Sequence, residues 1–261
     1  MQLTALALLF IAVGAAGGFT AGLFGVGGGL VIVPTLYFLW RDDPVLGPEV
    51  MHHAVATSLA CIVVTSVTSS WTHWRAGRME TAMLPVMGSA VSLGSVLAVW
   101  ASSYAPTQWL KIGFGLFAVG TGLTLLRKTS AKARTAPLQS REMWGAGALI
   151  GHVSTLLGVS GGALTVPYLV LRGIDMRHAV VVSSAVAIPI SVIGSVGMAI
   201  MGPDKPNTIG YVHWVAWLAI SAVSIYFAHW GARVSHVLDK LLLKRLFAAF
   251  LGVVALHMLS H

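Results

Sequence analysis

The sequence predicts an all-α, polytopic integral membrane protein of about eight hydrophobic segments, arranged as two repeats of inverted topology. Three observations predict it. The 261 residues are 56% apolar and 9% charged, with a mean hydropathy of +0.83. A soluble domain carries roughly 25% charged residues, so this chain cannot coat a water-facing surface. Two glycine-rich segments 133 positions apart share nine of nineteen residues: Gly18 to Leu36 reads GFTAGLFGVGGGLVIVPTL, and Gly151 to Leu169 reads GHVSTLLGVSGGALTVPYL. Most of the 16 Lys and Arg residues fall in short loops between apolar runs, and thirteen of them sort to one face under one particular topology.

A membrane-spanning helix needs about 20 apolar residues. Apolar runs occupy about 3–40, 50–70, 81–100, 107–126, 143–171, 177–201, 209–229 and 241–259. The first and fifth are long, contain the duplicated motif and are split by its glycines. Each is expected to enter the membrane, break and return to its starting side, and run 3–40 is long enough for two short helices. The three runs that follow in each half are expected to cross. Trp40, Trp71, Trp74, Trp100, Trp109, Trp144, Tyr168, Tyr211 and Trp230 flank run ends, as an interfacial aromatic belt does.

Segment 127–142, RKTSAKARTAPLQSRE, carries five basic residues and one acid. It is expected to be a basic cytoplasmic linker between an N-terminal membrane repeat, 1–126, and a C-terminal one, 143–261. Stepping back along the chain puts Arg75 and Arg78 inside and Arg41–Glu49 outside. Stepping forward leaves two choices. If run 143–171 crosses once, the basic residues divide eight inside and eight outside; if it returns, they divide thirteen and three. The second choice places Arg172, Arg177, Arg233, Lys240, Lys244 and Arg245 inside and is the one expected. Each half is then a hairpin plus three crossings. Three is odd, so the halves have opposite orientations and both termini face outside. The first apolar run lacks a basic n-region and belongs to the repeat, so a cleavable signal peptide is not expected.

The net charge of +8 and pI near 10.1 would suit nucleic acid, but basic loops between apolar runs are better matched to lipid headgroups. A small anionic solute and the bilayer are the partners expected, and nucleic acid is not. One cysteine, Cys61, excludes an internal disulfide and a cysteine metal cluster. No cofactor, metal or enzymatic activity is expected, and the oligomeric state is left open.

The duplicated glycines come first among candidate site residues. Gly27, Gly28 and Gly29, and Ser160, Gly161 and Gly162, free the backbone to turn sharply and approach a ligand. Irregular backbone inside a bilayer is tolerated where protein or a water-filled cavity satisfies it. Close helix packing through small residues is the plainer alternative. Val33-Pro34 and Val166-Pro167 follow the glycines. A helix starting near Leu30 or Pro34, with its twin near Ala163 or Pro167, would aim free amides at the centre, an arrangement that favours anions. His53-Ala54-Val55 recurs as His178-Ala179-Val180, each followed by hydroxyls: Thr57 and Ser58, or Ser183 and Ser184. These can donate to ligand oxygens, or simply bond a helix carbonyl. No Asp, Glu, Lys or Arg lies deep within a span, so charge would be bound by dipoles and hydroxyls. His152, inside the second motif, is the candidate for proton coupling.

Other readings have less behind them. Gly158-Val159-Ser160-Gly161 matches the motif around the nucleophile of rhomboid-type intramembrane serine proteases. The same position of the first copy is Gly27, so the match follows from the repeat. A nucleotide-binding loop lacks its Gly-Lys-Ser/Thr. A metal site at His52-His53 lacks acidic or thiolate support. An anion channel is the alternative to a carrier.

Gly25-Val26-Gly27-Gly28-Gly29 with Val33-Pro34, the second copy ending in Val166-Pro167, and the Ala-Val…Ser segments resemble the TauE/SafE family of sulfite and organosulfonate exporters. The resemblance covers nearly the whole chain. Departures are Ser160 in place of glycine and a long run before the first motif. The resemblance implies secondary transport, outward, of small sulfur-containing anions such as sulfite or sulfoacetate across the bacterial cytoplasmic membrane.

Overall fold

A computed structural model describes residues 2–24, 27–75, 83–126, 140–174, 176–234 and 240–260. Gly25 and Val26 of the first motif, the basic loop with Arg78, and residues 127–139 of the expected linker lie outside the described residues. The last residues of that linker, Ser140 to Glu142, are the first turn of a helix.

The eight apolar runs become ten helices among the described residues. Run 3–40 divides into α1 (Gln2–Phe24) and α2 (Gly29–Trp40), and run 143–171 into α6 (Ser140–Leu157) and α7 (Gly162–Leu171). Between them come α3 (Val50–Arg75), α4 (Leu84–Ser102) and α5 (Thr107–Leu126). After them come α8 (Met176–Met201), α9 (Trp214–Val234) and α10 (Lys240–Ser260). A two-stranded antiparallel hairpin, β1 (Thr208–Ile209) and β2 (Val212–His213), joins α8 to α9. Among the described residues, four helical spans are long and apolar enough to cross a membrane: 47–72, 84–102, 178–201 and 214–231. The first is 83% buried and so is the most enclosed, whereas the last is 28% buried. Leu93 and Leu97 of α4, Leu116 and Leu123 of α5, and Leu218 and Ile225 of α9 point outward, as lipid-facing side chains do.

Small residues decide which helices touch, because lipid offers no hydrophobic reward for pairing apolar surfaces. Gly14 and Gly18 of α1 lie on Ile220 and Ser224 of α9; a Cβ there would stand 2.8 and 2.5 Å from their carbonyl oxygens. Gly147 and Gly151 of α6, 133 positions on, lie on Ala90 and Val91 of α4. Both pairs run parallel. By contrast α3 and α8 run antiparallel: Leu59 meets Gly194, and the Ser70 and Ser184 hydroxyls are 3.3 Å apart. Helices α5 and α10 are antiparallel too, with Gly115 against Leu259 and Gly122 against Leu251. Exchanging α1 with α6, α2 with α7, α3 with α8, α4 with α9 and α5 with α10 turns each of these interfaces into another of the set or into itself.

Two ion pairs fix the ends. Arg172 Nη2 lies 2.7 Å from Glu142 Oε2, which brings the end of α7 back to the start of α6. Lys205 Nζ lies 3.0 Å from Glu49 Oε2, which puts the β-hairpin at the same end as loop 41–49.

Candidate functional site

Both broken runs turn at glycine. Gly27 has φ +67° and Gly158 has φ +65°, the left-handed region that only glycine enters at little cost. In the first break the Gly28 carbonyl accepts the amides of Val31 and Ile32, both at 2.9 Å, and starts α2. In the second, the Ser154 carbonyl takes the amide of Val159 at 3.0 Å and closes α6. The Gly161 carbonyl then accepts Leu164 and Thr165 at 3.2 and 2.7 Å, which starts α7. The amides of Gly162 and Ala163 precede that ladder, as first-turn amides do. Pro34 and Pro167 lie five residues inside their helices rather than at the first turn. There each removes an amide and frees the carbonyl four residues back, on Leu30 and Ala163.

The two breaks meet. A Cβ on Gly29 would stand 2.5 Å from Gly158 O and 2.9 Å from Val159 Cα. One on Gly27 would overlap the Ser160 side chain. Gly158 also touches Val33 and Val55, and the Ser58 hydroxyl donates to its carbonyl at 2.8 Å. The centre of the molecule is therefore the crossing of two interrupted helices, with α3 alongside. The positive ends of α2 and α7 start there, which makes the place favourable to an anion.

Of the residues expected from sequence, Gly27, Gly29, Ser160 and Ser58 are brought together at this crossing. Gly28 packs instead on the backbone of Gly17 within its own hairpin, and Gly161 faces the end of the Ile190 side chain. Gly162 is buried as the first residue of α7. Thr57 is not at the crossing: its hydroxyl accepts the His213 amide at 3.0 Å and ties down the β-hairpin. Ser184 is committed to the Val181 carbonyl at 2.8 Å and to Ser70. Ser183 is fully buried, and its hydroxyl has no partner among the described residues. His152 is half-buried where α6 packs on α4, nearly two turns before the break.

Ser154, Thr155 and Thr165 were not among the expected residues. They too are fully buried with unpartnered hydroxyls. Buried hydroxyls are almost always bonded, and leaving one unsatisfied costs about 1–3 kcal/mol. Their signal in the sequence is a polar residue in the second repeat where the first has Ala21, Gly22 and Ile32.

A second polar cluster closes the end marked by loop 41–49. Lys205 Nζ donates to Leu46 O at 2.8 Å and to Glu49, and the Tyr211 hydroxyl donates to Glu49 Oε1 at 3.2 Å. Burial first, and then the Glu49 charge, pushes the Tyr211 phenol up to about 12, so it stays a donor. A ring nitrogen of His53 pairs with Tyr211 O at 3.0 Å, and the His52 ring stacks on Tyr211 at 5.1 Å. His213 Nδ1 accepts the Ala216 amide at 3.2 Å, capping α9, and burial lowers its imidazole below the usual range. A cavity of about 320 Å³ opens here, bordered by Glu49, His52, Tyr104 and Tyr211. Among the described residues no three His, Cys, Asp or Glu side chains cluster as metal ligands.

Comparison with known proteins places these features in context. The family model "Sulfite exporter TauE/SafE" matches residues 10–258. A "Probable membrane transporter protein" of Haemophilus influenzae is 32% identical, covering 96% of this chain and 97% of that protein. One of Methanocaldococcus jannaschii is 24% identical over 96% of this chain and 94% of its own length. One of Bacillus subtilis is 23% identical over 87% and 89%.

Proposed function

Because the chain belongs to the TauE/SafE sulfite exporter family and is a multi-pass membrane transporter, we propose that it is a secondary carrier of small sulfur-containing anions, sulfite or organosulfonates such as sulfoacetate, and that it exports them across the bacterial inner membrane. The observation that carries the reading is the meeting of the two glycine breaks at the centre of the fold. Carriers of inverted-repeat construction bind substrate where broken helices from the two halves meet, and they expose that place to each side in turn. Antiparallel packing of α3 with α8 and of α5 with α10, beside parallel packing of α1 with α9 and α6 with α4, is the pattern that two inverted repeats, 1–126 and 143–261, would generate.

In this reading Gly27, Gly28, Gly29, Ser160, Gly161 and Gly162 shape the site, and Ser58 and Ser183 face it. Thr57 and Ser184 support neighbouring contacts. Helix-start amides and hydroxyls hold an oxyanion without a cationic side chain, so affinity stays low enough for release. Direct contact between the breaks leaves the centre closed, and the Glu49–Lys205–Tyr211 cluster closes one end. That favours a carrier over an open channel. The membrane potential can drive export of an anion from a negative interior, at about 2.3 kcal/mol per charge per 100 mV. His152 is the residue through which proton coupling would run.

The experiment is counterflow of radiolabelled sulfite in proteoliposomes, with sulfoacetate, taurine and sulfate as competitors. Saturable exchange inhibited by one of them is the expected result. Unsaturable flux would mean a channel, and no flux of any of the anions from folded protein would remove the substrate assignment.

A further inference from the structure

The two breaks differ in one respect that the duplication makes visible. Ser154, Thr155 and Thr165 of the second align with Ala21, Gly22 and Ile32 of the first, so the hydroxyls are on one side only. All three are at most 1% exposed, and their hydroxyls have no partner among the described residues. Most other buried hydroxyls of the fold behave differently, Ser95, Ser183 and Ser221 excepted. Thr65, Ser66, Ser184, Ser191 and Ser195 each donate to a carbonyl three or four residues back. That carbonyl is within reach of most helical serines and threonines. Ser154, Thr155 and Thr165 leave it unused.

Their placement gives them something else to bond. Ser154 and Thr155 are in the last turn of α6, and their carbonyls take the amides of Val159 and Gly158. Thr165 is in the first turn of α7, with Oγ1 3.4 Å from the point where Gly161 would carry a Cβ, so it is aimed at the helix start. Ser183, also unbonded, comes from α8, which packs on both α6 and α7. Buried hydroxyls, first-turn amides and a positive helix end thus lie in the turns that flank one break, with α8 packed beside it. The aligned positions of the first break offer an apolar or bare surface.

We infer that the oxyanion is bound by the second break: Thr165, Ser154 and Thr155, with Ser183, donate hydroxyl hydrogen bonds to its oxygens, and the first break covers it without donating. This rests on the anion-carrier reading above and adds which half holds the substrate. The ligand class is a small RSO3⁻ or SO3²⁻ oxyanion, whose several oxygens need several donors and no fixed cation.

The test uses the full chain. Thr165→Val, Ser154→Ala, Thr155→Val, Thr165→Ser and the control Ala21→Ser are assayed for sulfite and sulfoacetate counterflow. Each is also melted in detergent without anion. Loss of one donor to a charged ligand should raise KM about tenfold. The melting temperature without anion should hold or rise, because an unsatisfied buried hydroxyl has gone. Thr165→Ser should restore KM, and Ala21→Ser should leave it unchanged. Unchanged KM in the three hydroxyl-deleting variants overturns the inference, as does a lowered melting temperature with unchanged KM, which marks a purely structural hydroxyl. Wild-type protein without saturable exchange of either anion removes the carrier reading and this inference together. Normal wild-type exchange with unaltered variants removes this inference alone.

Discussion

Gly29→Ala tests whether the two breaks hold each other. The added carbon would lie 2.5 Å from Gly158 O, 2.9 Å from Val159 Cα and 3.1 Å from Ile62 Cδ1. The Ile62 methyl can rotate aside. The Gly158 carbonyl is less free, since Ser58 Oγ holds it at 2.8 Å and its residue is fixed at φ +65°. A carbon–oxygen contact relaxes at about 3.3 Å, so the breaks must separate by roughly 1 Å. Overpacking of this kind costs about 1–3 kcal/mol, and the helix preference of alanine over glycine returns at most about 1 kcal/mol. A net loss of about 1–2 kcal/mol lowers the ratio of packed to separated states by a factor of about 5–30. The assay pairs a melting curve with counterflow. Gly120→Ala is the control, because its Cβ would meet nothing within 4 Å. Gly29→Ala should melt lower and exchange anion abnormally while Gly120→Ala does neither. Gly29→Ala with wild-type melting and flux would refute the contact between the breaks.

Three further outcomes are expected. Lys205→Met and Glu49→Gln should each destabilise the hairpin end; the pair is partly exposed, so its coupling in a double-mutant unfolding cycle is about 1 kcal/mol, and strict additivity would show that the 3.0 Å contact carries no energy. His213 should make the fold acid-sensitive. Its imidazole is lowered from 6.5, so the folded protein resists a proton that the unfolded chain accepts; stability is undiminished above about 6.5 and falls as pH drops through that value toward the folded pKa. Melting curves at pH 7.5 and 5.5 should therefore show a smaller acid loss in His213→Phe than in wild type, and an equal loss would exonerate His213. Gly18→Val and Gly151→Val place side chains on the backbones of Ser224 and Val91; each should lower stability by about 1–3 kcal/mol, and one silent variant would break the equivalence of the α1–α9 and α4–α6 interfaces.

Helix content and the two broken runs were legible because each has a local cause: hydropathy and glycine. Helices α2 and α7 start at Gly29 and Gly162, one residue before Leu30 and Ala163, the first of the two starts that the sequence offers; the prolines fall in the second turn, because proline marks a helix start only as a preference. Site hydroxyls were harder. Thr57 and Ser58 are adjacent in sequence, yet one reaches the β-hairpin and the other the second break, and only helix phase separates them. The partners of Glu49 lie 156 and 162 residues away in a loop, where no periodicity announces them. Ser154, Thr155 and Thr165 were readable by aligning the repeats and asking which positions change from apolar to hydroxyl. Similarity between the copies draws attention to the residues that shape the break, and the differences between them mark the unpartnered hydroxyls.

The mismatch inside the motif has a physical cause of its own. Gly27 and Ser160 are the same position of the two copies, and they are also in contact. In the inverted-repeat reading proposed above, a residue that touches its own repeat mate lies on the axis relating the halves, where both copies compete for one volume. A Cβ on Gly27 would overlap the Ser160 side chain, so two serines cannot share the site without moving both breaks apart. Two glycines could share it, but they would leave a gap there. Glycine in one copy and serine in the other fills it. The left-handed φ of Gly27, in a chain where Ser160 avoids that region, shows the same division in the backbone. Gly27→Ser should therefore fail alone and be rescued in part by Ser160→Gly, which hands the volume from one copy to the other. A double variant no better than Gly27→Ser, in melting temperature or in flux, would place the axis elsewhere.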